Sequence, residues 1–206
     1  MSNKQKPDLG LFLEILQTLE RIEAPYMMIG AFAGIVYGIT RVTYDIDIVV
    51  DLTEQHIQAL ASSYLPPRYY ADAEMMRNSI ELGILFNIID TNRGEKADLV
   101  PLTSAYEQAF QRRIRQMIEI LGAEPFDVWC ARPEDVIIGK LMAWAEGRSR
   151  KHETDIYDMM VFQYLGADTA YSFDDRIIDQ QAARLGTEVA HLWFAIKEAA
   201  KKESSG

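Results

Sequence analysis

The chain is short of three things: cysteine, long apolar runs and positive charge. One cysteine stands among 206 residues, and 21 Lys and Arg against 31 Asp and Glu leave a formal net charge of -10. The lone thiol, Cys130, excludes an intramolecular disulfide and any multi-cysteine metal site, and its neighbours Val128, Trp129 and Ala131 give it the setting of inert core packing. No apolar run approaches the roughly 20 residues of a membrane span. Residues 1–7, Met-Ser-Asn-Lys-Gln-Lys-Pro, lack the apolar core of a secretion signal. The expectation is a soluble cytoplasmic protein with no membrane partner. The acidic balance excludes a surface that grips nucleic acid everywhere, so a polyanion must meet local basic patches. Two short clusters qualify, Arg112, Arg113 and Arg115, then Arg148, Arg150 and Lys151, and each reads equally as a solvated helix face or helix end.

What is present is ordinary for a globular protein. Hydrophobic residues make up 49% and charged residues 25%, enough for a substantial core in one domain or two small ones. Over residues 9–23, Leu11, Phe12, Ile15, Leu16, Leu19 and Ile22 recur at helical spacing until Pro25. A short strand over 26–29 is followed by a small-residue helix from Gly30 to about Gly38. Thr53 reads as the N-cap of a helix containing Ile57 and Leu60, Pro66 and Pro67 break the pattern, and 73–82 reads as another helix. Residues 84–90 and 96–100 read as two strands joined by an Asn92-Arg93-Gly94 turn. Beyond Leu102 the pattern is almost wholly helical, apart from one apolar stretch near 126–130 that suits a last strand. The Lys-Lys-Glu-Ser-Ser-Gly tail reads as disordered. This order predicts an α+β fold: a mixed sheet flanked by helices over 1–131, a helical lobe over 132–203, and a tail over 204–206.

The most informative residues are Asp45 and Asp47 in Arg41-Val-Thr43-Tyr-Asp45-Ile-Asp47-Ile-Val-Val50. On a strand both carboxylates leave one face, about 7 Å apart along the chain. Such a pair suits a hard oxygen-seeking cation such as Mg²⁺, and it equally suits an exposed acidic strand face. Asp98 lies in another apolar strand, where it can add a third carboxylate, cap the hairpin or face solvent. Three converging carboxylates can hold two divalent ions, Mg²⁺ or Mn²⁺, one polarising an attacking hydroxyl and one neutralising a triphosphate. At Ile29-Gly30-Ala31 a strand gives way to a helix, a place where backbone N–H groups meet phosphate or where glycine simply relieves a turn. Arg41 and Thr43 alternate with the aspartates and can donate to phosphate or pin the acidic loop, and Arg41 reads equally as a surface residue that neutralises Asp45. Lys140 is the sole charge between Val136 and Ala145, so it must snorkel out or find an anion; Asp155 and Asp158 share a face of the next helix and can pair with it or with Arg148.

The ordered set Gly30-Ala31, Asp45-Ile-Asp47 and Asp98 resembles the nucleotidyltransferase superfamily with the polymerase-beta-like fold. Phe86-Asn87-Ile-Ile-Asp90, Lys96-Ala-Asp98-Leu, Pro133-Glu134-Asp135-Val-Ile-Ile-Gly-Lys140-Leu141 and Asp155-Ile-Tyr-Asp158 extend the likeness to its small bacterial and archaeal branch, which includes toxins of abortive-infection systems. The resemblance implies a metal-dependent transfer of a nucleoside monophosphate from an NTP to a hydroxyl of RNA, protein or a small molecule. Asp45, Asp47 and Asp98 would be metal ligands and catalytic groups. Gly30, Ala31, Arg41, Thr43 and Lys140 would bind the nucleotide, and Asp158 would activate the acceptor or orient Lys140. The partners implied are an NTP, an acceptor such as tRNA, and a cognate antitoxin. Ala31 departs from the usual serine or glycine and removes a hydroxyl from the phosphate site. That departure keeps open a second reading, a non-catalytic nucleotide-binding or regulatory module on the same fold, and a third is a purely structural member of a toxin–antitoxin pair.

Overall fold

The computed structural model describes residues 10–41, 43, 46–118, 124–166 and 171–205. Among them are nine helices and seven strands: α1 (Gly10–Arg21), β1 (Tyr26–Ile29), α2 (Gly30–Val36), β2 (Asp47–Val50), α3 (Glu54–Ser63), β3 (Tyr69–Tyr70), α4 (Ala73–Leu82), β4 (Phe86–Asp90), β5 (Glu95–Pro101), α5 (Ser104–Gln111), β6 (Ile114–Ile118), β7 (Phe126–Cys130), α6 (Pro133–Gly147), α7 (Arg150–Tyr164), α8 (Asp175–Leu185) and α9 (Thr187–Ser204). The chain divides into two compact units, Met1–Ile29 with Thr43–Cys130, and Gly30–Val42 with Ala131–Gly206. The fold is α+β, with every strand in the first unit.

The sheet unit is one mixed sheet in the order β3-β4-β5-β2-β1-β7-β6. β4 and β5 form an antiparallel hairpin, β2 runs parallel to β5 and antiparallel to β1, and β7 runs parallel to β1. Strand alternation sorts the two faces. Met28, Ile48, Leu99 and Phe86 are register partners across β1, β2, β5 and β4, and each is at most 2% exposed. Helix α1 packs on β5 with Leu11, Phe12, Ile15, Leu16 and Leu19 inward. Burial of each such side chain contributes about 1.5–3 kcal/mol. Thr53 caps α3 as its sequence position suggests, its hydroxyl accepting from the His56 N–H while the His56 ring accepts from the Thr53 N–H. Asp72 caps α4, which ends on Gly83 in the left-handed region.

Three features depart from the sequence expectation. β6 is a strand, although the chain beyond Leu102 reads as helical and Arg112, Arg113 and Arg115 as a helix face. Ile114, Met117 and Ile118 suit helical spacing, and antiparallel pairing with β7 along its whole length decides the matter. The two-residue β3 is too short to leave a pattern, and it exists through its pairing with β4. Finally, α9 continues through Lys201 and Lys202 to Ser204, with the two lysines favourably placed at its negative end.

In the helical unit α6 packs on α7, α8 and α9, and α2 packs on α6 and α7. Gly38, at φ +99, joins this packing: a Cβ there would lie 2.5 Å from Cβ of Phe162. Tyr37 is fully buried and donates its hydroxyl to the carbonyl of Ala131 at 2.7 Å.

Candidate functional site

One row of residues crosses the face of the sheet opposite the apolar row: Asn87 on β4, Asp98 on β5, Asp47 on β2 and Ile29 on β1 are successive register partners. Parallel pairing sets Asp47 and Asp98 side by side on strands that are typically about 4.8 Å apart. Asp45 lies outside the described residues. Both Asp98 oxygens are engaged, Oδ1 by Asn87 Nδ2 at 2.6 Å and by Lys96 Nζ at 2.8 Å, Oδ2 by the same Nζ at 3.0 Å. Lys96 and Asp98 are two apart on one strand, so the lysine reaches along its own strand face. Tyr106 on α5 feels this row: burial raises its hydroxyl pKa and the charge of Asp47 raises it further. Thr43 is 5% exposed. Oxygen-only carboxylates on neighbouring rigid strands suit Mg²⁺ or Mn²⁺. Among the described residues no three His, Cys, Asp or Glu side chains form a metal-sized cluster.

The hairpin turn is closed by Asp90, which accepts from the backbone N–H groups of Asn92 and Arg93. Its carboxylate is fully buried and also accepts from Arg68 Nε and Nη2 at 3.1 and 2.9 Å. Burial works to raise the Asp90 pKa, but these hydrogen bonds outweigh it and hold the group below the ordinary carboxylate value. The basic cluster of this unit is largely committed locally. Arg113 lies over the rings of Phe110 and Trp129, while Arg115 lies over Trp129 and pairs with Glu20. Cys130 is a buried free thiol, as its context suggests.

The helical unit has its own charged centre. Lys140, 5% exposed, donates to Asp155 Oδ2 at 2.7 Å, and Arg41 grips the same carboxylate through Nε at 2.7 Å and Nη2 at 2.8 Å. The anion that Lys140 requires is therefore Asp155. Asp158, one turn on, accepts from the Thr40 hydroxyl at 3.1 Å. The Asp155 pKa is pushed up by burial and pulled further down by the hydrogen bonds from Arg41 and Lys140, so the net shift is downward. Burial lowers the Lys140 pKa, and the hydrogen bond to Asp155 offsets this only in part. The two shifts differ in balance because Asp155 has two cationic partners, whereas Lys140 shares its carboxylate with a competing arginine. His152, three residues before Asp155 on α7, is held below its ordinary pKa by burial and by Lys140. Its Nδ1 is buried with no hydrogen-bond partner among the described residues. Gly30 opens α2 at φ +68, a backbone angle that glycine adopts without strain, and Ala31 follows it within the helix. In the other basic cluster Arg148 pairs with Glu188 and lies over Trp144, while Arg150 and Lys151 are exposed.

Sequence reasoning identified the acids but missed Lys96, Asn87, Tyr106 and His152 as their company. The signal for Lys96 was its two-residue spacing from Asp98; Tyr106 and His152 had no comparable local signal.

A family model described as "Nucleotidyl transferase AbiEii toxin, Type IV TA system" matches residues 23–187. No curated protein matches the chain. Among solved structures it is similar to the antibiotic-resistance factor ANT(2'')-Ia, at 13% identity over 96% of this chain and 92% of that one with a TM-score of 0.41. It is also similar to an antigenic nucleotidyltransferase-like protein from Paracoccidioides brasiliensis, at 18% identity over 92% of each chain with a TM-score of 0.49. A protein from H. pylori assigned as a nucleotidyltransferase is 14% identical over 100% of this chain and 98% of that one, with a TM-score of 0.39. These distant likenesses leave the site to be argued from the chain's own residues.

Proposed function

The chain belongs to the AbiEii nucleotidyltransferase toxin family, whose model covers residues 23–187, and from that premise we propose that it moves a nucleoside monophosphate from an NTP to a hydroxyl acceptor, releasing pyrophosphate. The observation that carries the proposal is the side-by-side register of Asp47 and Asp98 on parallel β2 and β5. With Asp45 they would hold two Mg²⁺ ions, or Mn²⁺, which would supply charge neutralisation of the triphosphate and polarisation of the attacking hydroxyl. Asp98 takes up the acceptor's proton. Gly30, the N–H of Ala31, Arg41, Thr43 and Lys140 bind the nucleotide, and Asp158 activates the acceptor or orients Lys140; these roles rest on the family resemblance. Because Lys140 is already hydrogen-bonded to Asp155, it meets a phosphate only by sharing or leaving that carboxylate.

The acceptor belongs to one of three classes: an RNA 3′ end such as that of tRNA, a protein hydroxyl, or a small molecule such as an aminoglycoside. With Arg113, Arg115 and Arg148 held by neighbouring rings and acids, exposed Arg150 and Lys151 are the better candidates for an RNA contact. A toxin role brings a cognate antitoxin as protein partner. No helix among the described residues is long and apolar enough to cross a membrane.

The test is transfer of label from each α-labelled NTP to total RNA, protein or aminoglycosides. Wild type labels one of these classes, and Asp45→Ala/Asp47→Ala keeps its circular dichroism spectrum but labels none. Equal labelling by the two proteins overturns the assignment of the acids. Ala31, with no hydroxyl for phosphate, favours a second reading, a non-catalytic nucleotide-binding or regulatory module. Metal-dependent NTP binding by calorimetry without transfer to any class supports that module instead.

A further inference from the structure

We propose that Lys96 is an exchangeable counter-ion for the acidic row: it neutralises Asp98 in the metal-free protein, yields that carboxylate to a divalent cation, and then holds a phosphate of the nucleotide. The proposal rests on the reading of Asp47 and Asp98 as metal ligands. Lys96 Nζ lies within hydrogen-bond distance of both Asp98 oxygens, 2.8 and 3.0 Å away, so it occupies the carboxylate that a divalent cation would need. Ammonium and metal cannot share that place. Asn87, donating to Oδ1 at 2.6 Å, keeps a hold on the carboxylate that does not depend on Lys96.

The exchange is physically easy because the lysine is on the surface. Its side chain is 53% exposed, against 16% for Asp98, and partly exposed ion pairs are weak because water competes for both partners. Two carboxylates directly opposite on neighbouring strands repel each other, and Lys96 offsets that repulsion until a metal replaces it. Once displaced, the ammonium remains tethered to β5, two residues from Asp98 and on the same strand face, with a long flexible stem. The only anions a metal site adds there are those of its substrate, and a triphosphate has the oxygens that an ammonium seeks. Lys96 is therefore a positioning residue for the empty site and a phosphate contact for the loaded one.

These two roles predict opposite effects of one substitution. Lys96→Met keeps the stem and removes the charge. Free Mn²⁺, followed by its electron paramagnetic resonance signal, should bind Lys96→Met up to about fivefold more tightly than wild type, the upper factor that corresponds to a partly exposed ion pair. ATP, titrated at saturating Mn²⁺ by calorimetry, should bind it about two- to fivefold more weakly, and Lys96→Arg should restore ATP binding. Unchanged or weaker Mn²⁺ binding by Lys96→Met overturns the counter-ion role. Unchanged ATP binding overturns the phosphate role. A merely structural lysine would not move the two affinities in opposite directions. If wild type and Asp98→Asn bind Mn²⁺ equally, the metal reading fails and this proposal with it.

Discussion

Asp98 in the sheet unit and Asp155 in the helical unit carry the same chemical dressing at two depths. Each carboxylate is held by a lysine and by a second nitrogen donor. The Lys96 and Asp98 side chains are 53% and 16% exposed, whereas Lys140 and Asp155 are 6% and 1% exposed. Water competes for the first pair and is excluded from the second. The difference teaches which acid is available for exchange: a half-exposed pair trades partners at little cost, while a buried pair fixes its surroundings and resists change. Sequence likeness places the two lysines in separate motifs, one on the β4–β5 hairpin and one on α6, and burial separates their work.

Removal of Asp155 is the hardest blow to that contrast. Asp155→Ala leaves Lys140 buried beside Arg41 with its carboxylate gone, and such a vacancy costs about 3–5 kcal/mol. Urea unfolding of the variant should show that loss. A loss below about 1 kcal/mol would mean that Lys140 escapes to solvent, and the two depths would then be equivalent.

Depth, rather than membership of one unit or the other, is the variable at issue, and Asp90 separates the two. It lies in the sheet unit yet is fully buried, with Arg68 as its hydrogen-bonded side-chain partner and the Arg93 side chain 3.9 Å away. Arg68→Ala should lower the urea midpoint by more than the loss of an exposed ion pair does, because a buried charged acceptor loses donors while retaining the backbone N–H groups of Asn92 and Arg93. An effect as small as that at exposed pairs would tie the contrast to the unit instead of to burial.

Acid titration gives the same comparison without mutation. Burial favours the protonated form of Asp155, but Arg41 and Lys140 reverse that preference and its folded pKa lies below the ordinary value. The unfolded chain then binds a proton near pH 4 that the folded chain refuses, so stability rises with pH across that interval. The contribution is complete above the unfolded pKa and is lost as pH falls through the folded one. His152, whose folded pKa is also depressed, adds a loss that starts below about pH 6.5. Thermal unfolding followed from pH 7 to pH 3 should show this decline, and Asp155→Asn should flatten its lower limb.

Much of this architecture was legible because local rules agree with the fold. The helical spacing in α1, the Thr53 cap and the alternation in β4 and β5 all act within a few residues. β6 was not legible, since its five residues become a strand only against β7. The candidate site divides in the same way. Asp47 and Asp98 stand out as acids in apolar strands, but their facing register depends on β2 and β5 being parallel neighbours, which no local pattern encodes. The grip of Asp155 on Lys140 was readable as a need, a lone charge in an apolar helix, while the bidentate hold of Arg41 on the same acid joins residues 114 apart in sequence. Asp45 lies outside the described residues, so its share in the acidic row rests on the sequence pattern.

The smallest expected effect on stability is the most diagnostic for function. Asp98→Asn preserves shape, and the new amide can still accept from Asn87 through its oxygen. It loses a partly exposed ion pair with Lys96, about 0.2–1 kcal/mol, and gains relief from repulsion by Asp47. The two terms oppose each other, so urea unfolding should place the variant within about 0.5 kcal/mol of wild type. Mn²⁺ binding should nevertheless weaken by an order of magnitude or more, since a neutral amide is a poorer ligand than a carboxylate for a hard cation. A variant that is both as stable as wild type and unable to hold metal identifies Asp98 as a group kept for its ligand. Should the same substitution cost as much as Asp155→Ala, the acidic row would be a structural ion pair and the contrast in depth would carry no functional meaning.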